Sequence, residues 1–389
     1  MFTLILFILI LSFLVFVHEF GHYITAKKSG MKVYEFAIGF PPRALGAYKD
    51  PKTGKWVWVV GKGKSNLKET IVGEEQEDEF PTTLYSINWL PLGGFVRIKG
   101  ENGEKSKDKN SFGHQKAWKK VIVLSAGVIM NYLTAAILLG AGFMVGLPAD
   151  ISVSEDPHAI MVGESSVIIQ QVQPNTPAKE AGLTLGDTIQ AINGQEMNNV
   201  GQVIETIQNN GTEELSLTIL RGEKEEVFHI TPAIQKDGEP ARIGALLADA
   251  GVVRYPWYLA MYKGFVAATL GVINIAASFF FLIKGLIMGQ GLAFDVAGPV
   301  GIASIIGQSA RLGFSHLINV TAMISLSLAV INILPIPALD GGRILFILIE
   351  KITKKKVPLK YEQLAHTIGF GLLMLLIIVV TVRDVFGLF

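Results

Sequence analysis

Two histidines and a glutamate near the amino terminus have the spacing of a site that binds a metal and activates water. His18 and His22 are four positions apart, and Glu19 directly follows the first of them. On a helix this spacing places both imidazoles on one face, where they can bind the same metal ion. Glu19 lies one step around the helix, where it can take a proton from an activated water without being a ligand. The alternative is a pair of helix-end histidines that only make surface hydrogen bonds.

A second candidate, Asp340, lies far along the chain. It ends an apolar stretch that two prolines interrupt, and a Gly-Gly pair follows it. A carboxylate at the end of an apolar helix is costly unless it has a partner, and the prolines free backbone groups that need a protein-lined cavity. We therefore expect Asp340 to be the third ligand of a His-His-carboxylate zinc site with one position open for water. The alternative is that Asp340 only caps the helix predicted at Gly341–Ile349.

Composition narrows the chemistry and the partners. The 389-residue chain contains no cysteine, so disulfides are excluded and any metal must be held by His, Asp or Glu. The formal net charge of +1 argues against a nucleic-acid partner held through phosphate contacts. Hydrophobic residues make up 50% of the chain and charged residues only 17%, against about 25% charged in soluble domains. This balance indicates that the lipid bilayer is a partner.

Apolar stretches define the elements that must position these residues. A helix needs about 20 mostly apolar residues to cross about 30 Å of hydrocarbon. By this criterion we predict four transmembrane helices, at 1–26, 117–148, 316–342 and 362–385. The first stretch has no basic residue ahead of its apolar part and no small-residue cleavage site, so we expect a permanent helix and not a cleaved signal peptide.

Basic residues predict the orientation of these helices. Lysines follow the first, precede the second and join the third to the fourth, and such residues are enriched on the cytoplasmic side. They are Lys27, Lys28, Lys116, Lys119, Lys120, Lys351, Lys354, Lys355, Lys356 and Lys360. The pattern places the amino terminus outside, a cytoplasmic insert at 27–116, an extracytoplasmic domain at 149–240 and a cytoplasmic loop at 343–361. Both halves of the zinc site then reach a similar depth near the inner face.

The segment 241–315 does not fit this scheme as a full crossing. Its most apolar part, Trp257–Met288, is interrupted by Lys263 and Lys284. A crossing there would place Asp340 near the opposite face, too far from the histidines for a Zn–O bond of about 2 Å. We therefore predict an interfacial, amphipathic helix. A tight hairpin, which enters and leaves the membrane on the same side, would also keep the predicted orientation of the later helices.

Residues 165–235 have the pattern of a separate soluble module. Short alternating strands are predicted at Val167–Val172, Thr188–Gly194 and Leu215–Leu220, and an amphipathic helix at Val200–Asn209. The order of these elements, with the Gly-Leu-x-x-Gly-Asp turn that ends at Asp187, resembles a single PDZ domain of the circularly permuted bacterial kind. Such a domain binds an extended peptide at the edge of its sheet. The alternative is that the module acts only as a bulky filter.

The motifs as a whole resemble those of the bacterial site-2 proteases, which are intramembrane zinc metalloproteases. The His-Glu-Phe-Gly-His string at 18–22 and the Asn-x-x-Pro-x-Pro-x-Leu-Asp-Gly-Gly string at 332–342 are as that family has them. Residues 34–40 resemble its membrane-entering β-loop and residues 91–98 its adjoining edge strand. The chain departs from the family where Val128 replaces a usual proline and Pro41 a common glycine.

The resemblance implies a fold and an activity. The fold is a multi-pass α-helical protein of the bacterial inner membrane with four transmembrane helices, a membrane-associated β-rich insert on the cytoplasmic side and an extracytoplasmic α+β PDZ-like domain. The activity is hydrolysis of peptide bonds within the transmembrane segment of a single-span membrane protein. The implied substrate is an anti-sigma factor or a remnant signal peptide that an earlier site-1 cleavage has shortened.

The resemblance also implies residues that bind substrate. Strands at Gly39, Gly93 and Gly94 would pair with an unwound substrate, Asn332 would hold its backbone near the metal, and Asn131 would face the same cavity. The alternatives are ordinary turn chemistry for the glycines and helix–helix hydrogen bonds for the asparagines.

Two other classes of function are compatible with parts of the pattern. A metal transporter or metal sensor could use the same ligands, but it predicts more polar residues along several spans than this chain has. A catalytically idle scaffold could act through the PDZ-like module, and it would not need Glu19.

Overall fold

The computed structural model divides into two compact units. One, which we call the helical unit, comprises Met1–Leu138, Phe265–Arg311 and Val320–Phe389, and the other, the strand-rich unit, comprises Leu139–Gly264 and Leu312–Asn319. The structure describes residues 2–61, 80–103, 107–150, 158–173, 176–184, 186–222, 224–234, 240–288, 297–355 and 357–386. Parts of the predicted segments lie outside the described residues, among them 62–79 of the insert and Lys356 of the lysine cluster.

The described residues of the two units contain helices α1 (Phe2–Lys28), α2 (Ala117–Val145), α3 (Pro177–Glu180), α4 (Val200–Asn210), α5 (Trp257–Ile287), α6 (Pro299–Leu312), α7 (Phe314–Ile333), α8 (Asp340–Thr353) and α9 (Leu359–Phe386). The short helices α3 and α4 lie in the strand-rich unit. Among the described helices, α1, α2, α5, α7 and α9 are long and apolar enough to cross a membrane. Four of the five correspond to the four spans predicted from sequence. The fifth, α5, is the segment that was expected to lie at the interface.

Of the two alternatives that the sequence offered for the segment of α5, the structure contradicts one. The hairpin alternative is wrong, because Trp257–Ile287 is one continuous helix of 31 residues. Its first half also runs antiparallel alongside α2: Met261 lies against Gly140, and further along the Thr269 hydroxyl is 2.8 Å from the hydroxyl of Tyr132. A helix lying flat across the end of α2 would not contact it at two points eight residues apart. The lysines that suggested an interfacial helix lie near the two ends of α5, where they interrupt its apolar middle least.

A three-stranded antiparallel sheet forms the predicted insert. Its strands are β1 (Val33–Lys49), β2 (Trp56–Val60) and β3 (Leu84–Ile98), in the order β2-β1-β3. Both long strands fold back on themselves, since Phe36 is opposite both Val96 and Tyr85. The sheet lies against α1: the Phe36 ring packs on Phe16, and the Ser12 hydroxyl donates to the Pro91 carbonyl at 2.6 Å. The strands therefore run beside an apolar helix.

The strand-rich unit contains the predicted soluble module. Its sheet has the order β4-β10-β5-β6-β8-β9, with β7 paired to β6. The strands are β4 (Leu147–Asp150), β5 (Ile160–Val172), β6 (Thr188–Ile192), β7 (Gln195–Glu196), β8 (Leu215–Arg221), β9 (Lys224–Ile230) and β10 (Ala245–Arg254). Apolar residues spaced for a helix face in α4, Val203 and Ile207, pack with inward strand residues such as Ile189 and Leu217 in one core. The three predicted strands and the amphipathic helix are present.

Candidate active site

The helix α1 carries both histidines on one buried face. His18 and His22 are 7% and 6% exposed, which excludes the alternative of surface histidines at a helix end. The helix can bury polar rings here because α2 packs closely against it. At Gly21 an added Cβ would lie 2.5 Å from the carbonyl oxygen of Ala126, so only glycine allows this approach of the two backbones.

The structure brings Asp340 to the two histidines. Its Oδ2 is 3.1 Å from Nε2 of His18 and 3.3 Å from Nε2 of His22, and the two Nε2 atoms are 3.1 Å apart. A tetrahedral zinc ion with bonds of about 2.0–2.1 Å separates its ligand atoms by about 3.3 Å. The three atoms therefore already have the spacing of three corners of a zinc tetrahedron. Two nitrogen atoms and a carboxylate oxygen that converge in this way fit a bound cation.

Asp340 reaches the histidines because the chain turns sharply after α7. It is the first residue of α8, and the cap position is Leu339, which makes no side-chain capping bond. The alternative that Asp340 only caps this helix is therefore wrong. The next two residues lie against the turn, since a Cβ on Gly341 would be 2.2 Å from the Ile333 carbonyl and one on Gly342 would be 2.3 Å from the Ile336 carbonyl. The Gly-Gly pair allows α8 to begin at this point.

One face of α2 supports both histidine rings. His22 Nδ1 is 2.7 Å from the Val123 carbonyl, and His18 Nδ1 is 3.3 Å from the Asn131 side-chain amide. Between them lies Gly127, where an added Cβ would be 2.5 Å from His22 Nε2. A carbonyl at Nδ1 holds the proton there and leaves Nε2 free for a metal. Val123 and Gly127 were not predicted from the sequence, although Val123, Gly127 and Asn131 follow one another at spacings of four residues, which is a signal for a shared helix face.

Glu19 is positioned by the sheet. Its Oε2 accepts a hydrogen bond of 3.0 Å from the backbone N–H of Val96 in β3. That N–H points away from β1, so this part of β3 is an edge of the sheet. Glu19 thus lies between the histidine pair and the edge of the sheet.

An ion pair that was not predicted from the sequence connects α8 to the loop that follows β3. Arg343 pairs with Glu101, and a second guanidinium nitrogen is 3.3 Å from Oδ1 of Asn102. Glu101 also accepts a hydrogen bond of 3.4 Å from the backbone N–H of Ile98. An arginine three residues after a metal ligand on a helix is the available sequence signal, because residues i and i+3 share a face.

The residues predicted to bind substrate lie in different surroundings. Gly39 and Gly93 have φ of +79° and +71° at the turns of the sheet, so turn geometry alone accounts for glycine there. Asn332 is half-buried at the end of α7 and makes no side-chain hydrogen bond with another described residue. Asn131 is completely buried against His18. Its surroundings in this structure are protein and not an open cavity.

Comparison with known proteins identifies the family. The profile of Peptidase family M50 matches residues 6–55 and 72–376, which is most of the chain. The chain belongs to this family. This M50 peptidase is a membrane zinc metalloprotease of the site-2 class, as the motifs at 18–22 and 332–342 indicate.

Curated relatives match the M50 peptidase over its whole length. It is 29% identical to the regulator of sigma-W protease RasP of Bacillus subtilis over 443 aligned residues, covering 100% of this chain and 99% of that one. It is 31% identical to the zinc metalloprotease RasP of Bacillus licheniformis, covering 100% and 99% of the two chains.

Solved structures match only part of the chain. A PDZ domain of an SdrC-like protein from Listeria innocua is 26% identical, with a TM-score of 0.20, and the match covers 21% of this chain and 92% of that one. A corresponding PDZ domain from Listeria monocytogenes is 22% identical, with a TM-score of 0.21 over 23% of this chain and 93% of that one.

Proposed function

We propose that His18, His22 and Asp340 hold the catalytic zinc and that Glu19 moves the proton during hydrolysis of peptide bonds within the transmembrane segments of substrate proteins. The observation that carries this proposal is the convergence of three ligand atoms, from α1 and the start of α8, at separations of 3.1–3.3 Å. Glu19 is on the same turn of α1 as His18, but it faces the sheet and is not one of the three.

The residues around the ligands supply a route for the proton. Zinc, when bound, makes water more acidic and polarises a peptide carbonyl. Glu19 takes the proton of the attacking water and returns it to the departing amine. The Val96 N–H holds one carboxylate oxygen of Glu19, which fixes the side chain and leaves the other oxygen to accept the proton.

The edge of β3 supports binding of an unwound substrate. A transmembrane helix hides its carbonyl groups in its own hydrogen bonds, so it must open before water can attack. The freed backbone groups then need partners, and an exposed strand edge offers them by strand addition. The edge at 94–98 is beside Glu19, as the contact with Val96 shows. We propose that Gly94 belongs to this pairing edge, that Gly39 and Gly93 shape its turns, and that Asn332 holds the substrate backbone.

The sheet edge beside Glu19 and one relative support a proposal for the substrate class. We propose single-span membrane proteins such as an anti-sigma factor or a remnant signal peptide, cut after an earlier site-1 cleavage. One relative is named a regulator of sigma-W protease. We place the enzyme in the bacterial inner membrane, with the PDZ-like domain outside and the lysine-rich segments in the cytoplasm. The PDZ-like domain would then meet the shortened substrate first.

Substitution of Glu19 tests this function against a metal sensor, transporter or scaffold. In detergent-solubilised full-length protein with a model transmembrane substrate, Glu19→Gln should reduce cleavage by about 100-fold or more, because it removes the general base. Its zinc content, measured by elemental analysis, should equal that of the unsubstituted protein. The control is Glu205→Gln, which changes an exposed glutamate of α4 and should leave cleavage unchanged. Equal product with and without a zinc chelator would contradict the assignment.

A further inference from the structure

We propose that Asn131 is a positioning residue for zinc: it holds His18 in the tautomer that leaves Nε2 free for the metal. This inference rests on the proposed function, in which His18 is a zinc ligand. It gives Asn131 a role different from the contact with substrate that the family resemblance implies.

The placement of Asn131 follows from the packing of α1 against α2. Val123, Gly127 and Asn131 are each four residues apart on α2 and therefore line one face. Because the two helices run in opposite directions, Val123 meets His22 and Asn131 meets His18. Gly127, between them, leaves room for both rings. The hydroxyl of Ser325 in α7 donates to the Asn131 backbone carbonyl at 2.8 Å and holds this part of α2 in place.

The chemistry of a histidine ligand requires an acceptor at its second nitrogen. A neutral imidazole that binds a metal through Nε2 carries its proton on Nδ1. For His22 the acceptor is the Val123 carbonyl at 2.7 Å. For His18 the described group at Nδ1 is the amide of Asn131 at 3.3 Å. The oxygen of that amide is therefore the acceptor available to His18.

The amide of Asn131 can serve either tautomer. In the structure its Nδ2 faces His18, and its Oδ1 is buried without a hydrogen-bond partner. A rotation of the amide by 180° exchanges Oδ1 and Nδ2. In each orientation one of these two atoms faces His18 and the other has no hydrogen-bond partner among the described residues. The proton on His18 therefore decides the orientation. When the metal occupies Nε2, Nδ1 carries the proton and Oδ1 must face it.

Burial argues against direct contact with substrate. Asn131 is 0% exposed, while Asn332, at the end of α7, is only partly buried. The partly exposed Asn332 is therefore the better candidate for contact with substrate, and the buried Asn131 amide lies against the His18 ring.

Substitutions of Asn131 test the proposal through zinc binding. Asn131→Asp keeps an acceptor at Nδ1, whereas Asn131→Leu keeps the size and removes it. Loss of such an outer hydrogen bond typically lowers metal affinity by about 10- to 100-fold. We expect this loss for Asn131→Leu and zinc affinity within about tenfold of the unsubstituted protein for Asn131→Asp. The matched control is Tyr132→Phe, the next residue on α2, whose hydroxyl bonds to Thr269 and not to a histidine. It should not change zinc affinity.

Zinc affinity is measured by competition with a chromophoric chelator in full-length protein, and the Co²⁺-substituted protein reports the ligand geometry by its absorption spectrum. We expect an altered Co²⁺ spectrum for Asn131→Leu and an unsubstituted spectrum for Asn131→Asp. Asn131→Ala, which leaves space instead of filling it, is measured in parallel in case leucine prevents folding. It should resemble Asn131→Leu, because it also lacks an acceptor.

The outcomes separate this inference from the proposed zinc site. If Asn131→Leu and Asn131→Ala bind zinc as the unsubstituted protein does, or if Asn131→Asp loses as much affinity as they do, Asn131 does not position His18. His18→Ala serves as the reference. If it leaves zinc binding unchanged, the assignment of the zinc site itself is wrong.

Discussion

Gly127 shows at the residue scale how much of the zinc site depends on the absence of a side chain. An added Cβ there would lie 2.5 Å from Nε2 of His22 and 2.6 Å from Nε2 of His18, the two nitrogen atoms assigned to the metal. Because Gly127 has no side chain, the backbone of α2 can pack against the two histidine rings and still leave space for a metal ion at their Nε2 atoms. The two histidine ligands on α1 and their support on α2 are therefore specified together.

We expect Gly127→Ala to weaken zinc binding by about tenfold or more, because overpacking a close contact costs about 1–3 kcal/mol. Zinc content after dialysis against a weak chelator measures this loss. The control is Gly371→Ala in α9, where an added Cβ would meet no atom within 4 Å and zinc content should not change. Full zinc retention in Gly127→Ala would show that the rings can move aside.

At the scale of elements, the site is built from helices and a sheet edge that act together. The helix α1 supplies the histidines and Glu19, α8 begins with Asp340, and β3 holds Glu19 through its backbone. Arg343, which pairs with Glu101, links the first turn of α8 to the loop that follows β3. The zinc ligands and Glu19 therefore depend on the packing of α1, α8 and β3 against one another.

We expect Val96→Pro to abolish cleavage while zinc stays bound. Proline removes the N–H that orients Glu19, and at a position whose N–H points away from the sheet it should leave the pairing with β1 intact. Val96→Ala keeps the N–H and should retain activity. Initial cleavage rates and zinc content are measured for both variants. Comparable rates for proline and alanine would mean that the backbone contact is not required.

The strand-rich unit has its own pH dependence. Burial raises the pKa of Asp187, but hydrogen bonds from Arg221 and Thr184 outweigh it and hold the pKa below its usual value. A carboxyl group whose pKa is lower in the folded protein stabilises the fold above its unfolded pKa of about 3.9. That stabilisation is lost as pH falls through the folded pKa.

We therefore expect hydrogen-exchange protection factors in β8 of the full-length protein to fall below about pH 4. Arg221→Met should flatten this dependence because it removes the main partner of Asp187. Lys224→Met, on the exposed neighbouring strand, is the control and should behave as the unsubstituted chain does. An unchanged acid dependence in Arg221→Met would show that another group is responsible.

For the whole molecule, the open question is how many helices cross the bilayer. Within the described residues five helices are long and apolar enough, one more than the four predicted. The contact of Asp340 with His18 and His22 does not depend on that number, because it is observed directly. The two half-sites lie together, as the predicted orientation of α1 and α7 requires.

The proposed sidedness, with the PDZ-like domain outside and the lysine-rich segments in the cytoplasm, requires that α5 does not add a single crossing. The absence of cysteine from the sequence makes the test direct, since an introduced cysteine is the only thiol. We expect Tyr258→Cys and Lys284→Cys to react with a membrane-impermeant maleimide from the same, extracytoplasmic side of oriented vesicles. Ile273→Cys, in the apolar middle of α5, is the reference for a membrane-embedded position and should react only after detergent is added. Labelling of Tyr258→Cys and Lys284→Cys from opposite sides would show that α5 crosses and would contradict the proposed sidedness.

The sequence by itself determined the chemistry of this protein and most of its elements. Spacing along a single helix is local, so His18, Glu19 and His22 could be assigned to one face, and apolar length predicted α1, α2, α7 and α9. The prolines and glycines around Asp340 marked it as a partner for the histidines. These inferences need only bond geometry and the cost of polar groups in lipid.

Only the tertiary structure decided which groups outside these motifs complete the site. The Val123 carbonyl, the bare backbone of Gly127 and the Val96 N–H act through the main chain, whose atoms are the same at every residue. Their roles depend on the distance between packed elements, which no residue type reveals. The same holds for α5, since its contacts with α2, and not its composition, place its first half alongside that helix.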